Sequence, residues 1–249
     1  MALRDEIRKE RKEFFATATR KEKFGYIKEY YGLPIVCTIL ILALVAFLVF
    51  QSFHSPNVIL NGTFINLYNH EQPLAVNELG EEFLKAEKIN TSKYGVAFGS
   101  GINIDASDSV ASYESTQALI AQVTGATIDF IVSPSDAILS LAYDEMFVDL
   151  STVLTDEQIE YYEPYFLYVD QAIIEQLLTT DDTESLEGIE LPDCRKPEEM
   201  QRPIPVLIDI SEYKTITELY GSLDQTIVFG IAFNAPNTET AITFLDYLK

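Results

Sequence analysis

The sequence predicts an α/β domain that follows an N-terminal helical segment and a single membrane-spanning helix. Three observations predict it. Residues 33–50 are almost wholly apolar, and no Asp, Glu, Lys or Arg occurs between Glu29 and Glu71. The charge changes sign across that stretch. Beyond residue 57, short β-branched and aromatic runs alternate with helical stretches of about 10–15 residues, the pattern of βαβ units and a mostly parallel sheet.

The apolar stretch sets three segments. A helix needs about 20 apolar residues to cross a hydrocarbon core of about 30 Å, and residues 31–53 supply them. Residues 1–30 form a basic segment before it and residues 54–249 an acidic domain after it. Of 17 Lys and Arg and 39 Asp and Glu in the chain, residues 1–33 hold nine bases and six acids. The remainder therefore has eight bases, 33 acids and a net charge of −25. Bases beside a span favour the cytoplasm. Arg20, Lys21, Lys23 and Lys28 precede the span, and no base follows it until Lys85. The expected topology is an N-terminus in the cytoplasm and a C-terminal domain outside the cell. The apolar run exceeds a signal-peptide core and no small-x-small site follows it, so a retained signal anchor is expected. Nucleic acid is excluded as a partner of the acidic domain, because phosphate binding needs a basic face.

In chain order, residues 3–31 read as one helix, with Leu3, Ile7, Phe14, Phe15, Phe24 and Ile27 among charges. It suits either an anionic lipid surface or a solvated juxtamembrane helix. Too few clustered bases favour the first, so the second is preferred. Residues 58–60 and 64–68 read as strands flanking an Asn61-Gly62 turn. Helices follow at 74–88 and 109–123, with a strand at 94–104 between them and another at 127–132. Ser135 reads as the N-cap of a helix over 137–143. Thr155 and Gln158 have the spacing of a capping box. Tyr161, Tyr162, Tyr165, Phe166 and Tyr168 form an aromatic cluster that could stack on sugar rings or pack a core; packing is favoured. The acidic run 179–192 reads as a solvated loop and, with the proline-bearing 192–205, as a boundary between sub-parts. A strand at 204–210, a helix at 212–220, a strand at 226–233 and a helix at 238–249 complete the chain.

Several chemistries lack a motif. The chain has two histidines, His54 and His70, and no calcium-loop, P-loop, dinucleotide or serine-hydrolase signature, so no metal, cofactor or enzymatic activity is expected. Cys37 lies in the span and Cys194 outside it, so no disulfide between them is expected.

Two stretches resemble a known family. The first is Gly125-Ala126-Thr127-Ile128-Asp129-Phe130-Ile131-Val132 followed by a helix and Phe147-Val148-Asp149-Leu150. The second is Phe229-Gly230-Ile231-Ala232-Phe233-Asn234-Ala235-Pro236-Asn237, leading to a helix with Ala241, Phe244 and Leu245 inward. Both are similar to bacterial extracytoplasmic solute-binding proteins of the maltose-binding type. The resemblance implies a two-lobed, periplasmic-binding-protein-like domain that captures a small solute or peptide in an inter-lobe cleft. It further implies a permease or another envelope protein as partner, besides the lipid bilayer. The rival expectation is an envelope interaction or scaffold protein on a degenerate version of that fold. In open α/β sheets ligands sit beyond the carboxyl ends of strands. The ligand-contacting candidates are accordingly Tyr68, Asn69, Ser133, Ser135, Asp136, Asp209 and Asn234.

Overall fold

The structure is a computed structural model and describes residues 2–54, 56–67, 72–104, 109–179, 189–221 and 225–249. It divides into two units, Met1–Ser55 and Pro56–Lys249.

In the first unit the helix expected over 3–31 is broken, with α1 (Ala2–Thr17) before the break and α2 (Arg20–His54) running on through the apolar stretch. The break has a local cause. The Thr19 amide and hydroxyl both donate to the Glu22 carboxylate at 2.8 Å, and the Glu22 amide donates back to the Thr19 hydroxyl at 3.4 Å. This reciprocal cap starts a new helix. The Phe15 ring meets Tyr26 edge-on at 5.5 Å. Within α2, Tyr31–Leu48 is long and apolar enough to cross a membrane, with a mean hydropathy of 2.5.

The second unit is built on one six-stranded mixed sheet in the order β2-β1-β3-β6-β5-β4. The strands are β1 (Asn57–Phe64), β2 (Tyr94–Gly99), β3 (Phe130–Pro134), β4 (Phe166–Asp170), β5 (Pro203–Asp209) and β6 (Ile227–Ile231). β1 is parallel to β2 and β3. β6 runs against both β3 and β5, and β4 runs against β5. The mostly parallel sheet expected from alternating elements thus has three antiparallel pairings out of five, since alternation in sequence does not encode strand direction. The described residues also form one sheet, where the resemblance implies two lobes. After the middle of the chain, β4 and β5 return to extend this sheet beyond β6 instead of starting another.

Helices cover both faces: α3 (Gln72–Ala86), α4 (Ser109–Thr124), α5 (Ser135–Tyr143), α6 (Asp156–Tyr162), α7 (Gln171–Thr179), α8 (Lys214–Tyr220) and α9 (Thr238–Tyr247). One face buries phenylalanines from several elements. Phe130 stacks on Phe229 at 5.1 Å and on Phe244 at 4.9 Å, and Phe83 meets Phe244 edge-on at 5.2 Å. The other face buries Leu119, Val123, Ile131, Ile138, Leu141, Ile174, Leu207 and Val228.

Asn61-Gly62 is no turn but the middle of β1. The tip of the Phe130 ring lies against Gly62, and a Cβ there would fall 2.1 Å from its Cζ. Glycine admits the neighbouring strand's ring at that spot. Thr155 and Gln158 do form both halves of a capping box at the start of α6. Ser135 is not an N-cap. Pro134 holds that position without a side-chain bond, and Ser135 is the first residue of α5. β4 and α7 are additions that the sequence reading lacks.

Candidate binding site at the carboxyl edge of the sheet

Strand register decides which candidate residues share an edge. Ser133 of β3 and Asp209 of β5 both pair with Val228 of β6, one on each side. With strands about 4.8 Å apart they sit on one rung, two strand spacings from each other. Ser135 and Asp136 follow directly at the head of α5, and the Ser135 amide donates to the Thr226 carbonyl at 2.8 Å. Four of the seven candidates therefore share the carboxyl edge of β3 and β5. Tyr68 and Asn69 lie outside the described residues. Asn234 follows the far end of β6, at the opposite edge, where its side-chain amide donates to the Thr124 carbonyl at 3.2 Å.

The four differ in what their polar atoms face. The Ser133 hydroxyl is buried and donates to the Pro134 carbonyl at 3.0 Å. Asp136 is exposed in the first turn of α5, where a carboxylate suits the positive end of the helix. Asp209 lines a hollow.

That hollow has a volume of about 590 Å³. Tyr161, Tyr165 and Tyr213 supply rings, and Arg195, Asp209, Glu212, Lys214 and Lys249 supply charge. One Asp209 oxygen accepts from the Ser211 amide at 2.9 Å and the Ser211 hydroxyl at 2.6 Å. The other accepts from Arg195 Nη2 at 2.6 Å. Burial alone raises the Asp209 carboxyl, but the Ser211 and Arg195 bonds outweigh it and hold the group below the usual carboxylate range. Arg195 Nη2 also donates to the Thr226 hydroxyl at 3.1 Å. Asp209 thus holds Arg195 in place, and the guanidinium retains donors for another acceptor.

The C-terminal end of α9 supplies the opposite wall. Lys249 Nζ lies 4.0 Å from the Tyr161 ring centre, 4.6 Å from that of Tyr162 and 2.6 Å from the Asp246 carboxylate. The Tyr162 hydroxyl donates to Asp246 at 2.8 Å, and Gln158 Nε2 donates to it at 2.9 Å. Tyr162 is fully buried, whereas Tyr161 is 49% and Tyr165 36% exposed, so the aromatic cluster divides between core and surface. The Tyr213 hydroxyl is buried, with the Tyr162 hydroxyl as its neighbour. Burial first, then Tyr161 and Tyr165, push its pKa up against a hydrogen bond with Tyr162 that lowers it, so it stays a neutral hydroxyl.

Sequence reasoning did not select Arg195, Glu212, Tyr213, Lys214 or Lys249. The available signal was scarcity, because three of the acidic domain's eight bases converge here. A second hollow, of about 540 Å³, lies between α3 and the edge strand β2, lined by Asn77, Glu81, Leu84, Tyr94 and Phe98 among others. Among the described residues no group of three His, Cys, Asp or Glu has the arrangement of a metal site.

No protein-family model matches the chain, and no curated protein matches it. Solved structures do. The chain is similar to the substrate binding domain of a putative molybdenum ABC transporter from Clostridium difficile, at 14% identity and a TM-score of 0.34, covering 77% of this chain and 92% of that one. It is also similar to the PBP AgtB of Agrobacterium tumefaciens R10 in complex with agropinic acid, at 12% identity and a TM-score of 0.34, over 77% of this chain and 78% of that one. A third is the PBP AttC of A. tumefaciens C58 in an open unliganded conformation, at 13% identity and a TM-score of 0.31, over 76% and 78%.

Proposed function

We propose that the chain is a single-pass, membrane-anchored binding protein, with residues 1–30 in the cytoplasm, 31–53 in the bilayer and 54–249 outside the cell. The outer domain captures a small solute or peptide. The observation that carries this reading is the tyrosine-walled hollow beside Asp209, at the edge of the sheet where ligands of α/β folds gather. With one sheet, the ligand meets an open edge instead of a cleft between two lobes. A permease or envelope protein facing that edge would complete the enclosure.

The test is thermal unfolding of the detergent-solubilised full chain against sugars, amino acids, peptides and polyamines. Ligand binding to the folded state raises stability by mass action, by about 2.7 kcal/mol at a hundredfold excess over Kd. One class is expected to raise the melting temperature saturably, and Tyr165→Ala to abolish the rise. No shift with any class would refute the reading. Protease added to intact cells is expected to digest the outer domain and spare residues 1–30.

The runner-up is an envelope interaction protein. The groove along edge strand β2 favours it, since an open edge can accept a strand from a partner.

A further inference from the structure

The identity of the charges around the hollow goes one step past the reading of it as a binding site, and rests on that reading. We infer that the hollow takes an alkylammonium group, carried either by a free polyamine or by a lysine-bearing peptide.

The Lys249 ammonium lies over the Tyr161 and Tyr162 rings and against Asp246, so one end of the hollow already accommodates this chemistry within the molecule. A cation over a tyrosine face is attracted by the negative ring surface. Two more rings, Tyr165 and Tyr213, continue the wall away from Lys249.

The charges around the hollow also pair off unevenly. Arg195, Lys214 and Lys249 stand on the wall, but each faces a carboxylate: Asp209 at 2.6 Å, Glu218 at 3.6 Å and Asp246 at 2.6 Å. Glu212 forms no ion pair among the described residues, so one carboxylate on the wall is open to a cation. The Tyr213 hydroxyl is buried behind the wall, so that residue offers the hollow its ring. An ammonium thus meets rings and the Glu212 carboxylate, while its alkyl stem lies along tyrosine faces.

A domain with eight bases and 33 acids attracts cations from a distance and repels anions. A field of that kind also gathers any polycation loosely, so the experiment must separate a seat from an atmosphere.

Spermidine and the blocked tripeptide N-acetyl-Gly-Lys-Gly-amide are titrated into the full chain in detergent, with triacetylspermidine and N-acetyl-Gly-acetyl-Lys-Gly-amide as neutral controls. Binding is read by calorimetry and by the melting temperature. Spermidine, the tripeptide or both are expected to bind saturably, which identifies the source, while both controls fail. Glu212→Gln and Tyr165→Ala are each expected to weaken binding at least tenfold, and Glu239→Gln, an exposed acid on α9 away from the hollow, to leave it unchanged. Binding that is equal in all three variants would mean an ion atmosphere and overturn the inference. A saccharide or carboxylate that shifts the melting temperature and loses its effect in Tyr165→Ala would overturn the ligand class and keep the hollow as a site. No shift with any ligand would remove both.

Discussion

Asp129 and Asp209 sit at opposite edges of one sheet and put the same carboxylate to different uses. Asp129 is completely buried just before β3. It accepts from the Asn61 amide at 2.7 Å, the Asn237 amide at 2.7 Å and the Asn237 side chain at 3.2 Å. Those bonds tie β1 to the start of α9, and they consume the group within the backbone. Asp209 accepts from Ser211 and then from Arg195, a side chain that is half exposed at the rim of the hollow. The difference teaches how to separate a structural acid from a site acid. One ends on amides that have no other partner. The other ends on a cation whose remaining donors face solvent.

The contrast can be broken by substitution, the largest effect first. Asp129→Ala orphans the Asn61 and Asn237 amides, and each buried unpaired group costs about 1–3 kcal/mol. Urea unfolding is expected to show a loss of about 3–5 kcal/mol on that basis. A loss below about 1 kcal/mol would remove Asp129 as the tie between β1 and α9.

Gly62→Ala comes next. Overpacking a filled core costs about 1–3 kcal/mol, and here the new methyl would meet the Phe130 ring. Phe130→Leu in the same chain is expected to relieve most of that cost. A double-mutant cycle with no coupling would contradict the steric account.

Tyr162→Phe removes the hydroxyl bond to Asp246. A hydrogen bond to a charged group is worth about 1.5–3 kcal/mol, but Gln158 and Lys249 keep Asp246 partnered, so the lower end is expected.

Asp209→Asn is expected to change stability least at neutral pH, by under about 1 kcal/mol, because Arg195 is half exposed and exposed pairs are weak. Its signature is in acid. Asp170, Asp209 and Asp246 are each raised by burial and lowered further by their hydrogen bonds, ending below the usual value. A lowered folded pKa gives stability that is fully present above the unfolded value of about 3.9 and is lost as pH falls through the folded values. Unfolding measured from pH 5 downward should therefore show a falling limb, shallower in Asp209→Asn than in the parent chain. An unchanged limb would contradict the ionic role of Asp209.

Much of the frame was legible in the sequence because it is local. The apolar stretch, the helices α4 and α9 and the Thr155 capping box follow from residues within a few positions of one another. Asn61-Gly62 misled because the force that straightens it comes from Phe130, far along the chain. β4 was hidden in a run of tyrosines and phenylalanines whose members divide between core and surface. Four of the seven candidates lie at one edge because β3 and β5 run the same way, whereas Asn234 follows the reversed β6 and lies at the other. The hollow itself was illegible. Its walls come from α6, the segment before β5, the turn after β5 and the end of α9, and only the sheet order brings them together.

The most direct test of the account is amide hydrogen exchange on the full chain, with and without whichever ligand raises its melting temperature. The account expects new protection over residues 161–165, 195–196 and 209–214, with 124–129 and 234–237 unchanged. Protection confined to 94–99 along β2, or to the Asp129 edge, would contradict it.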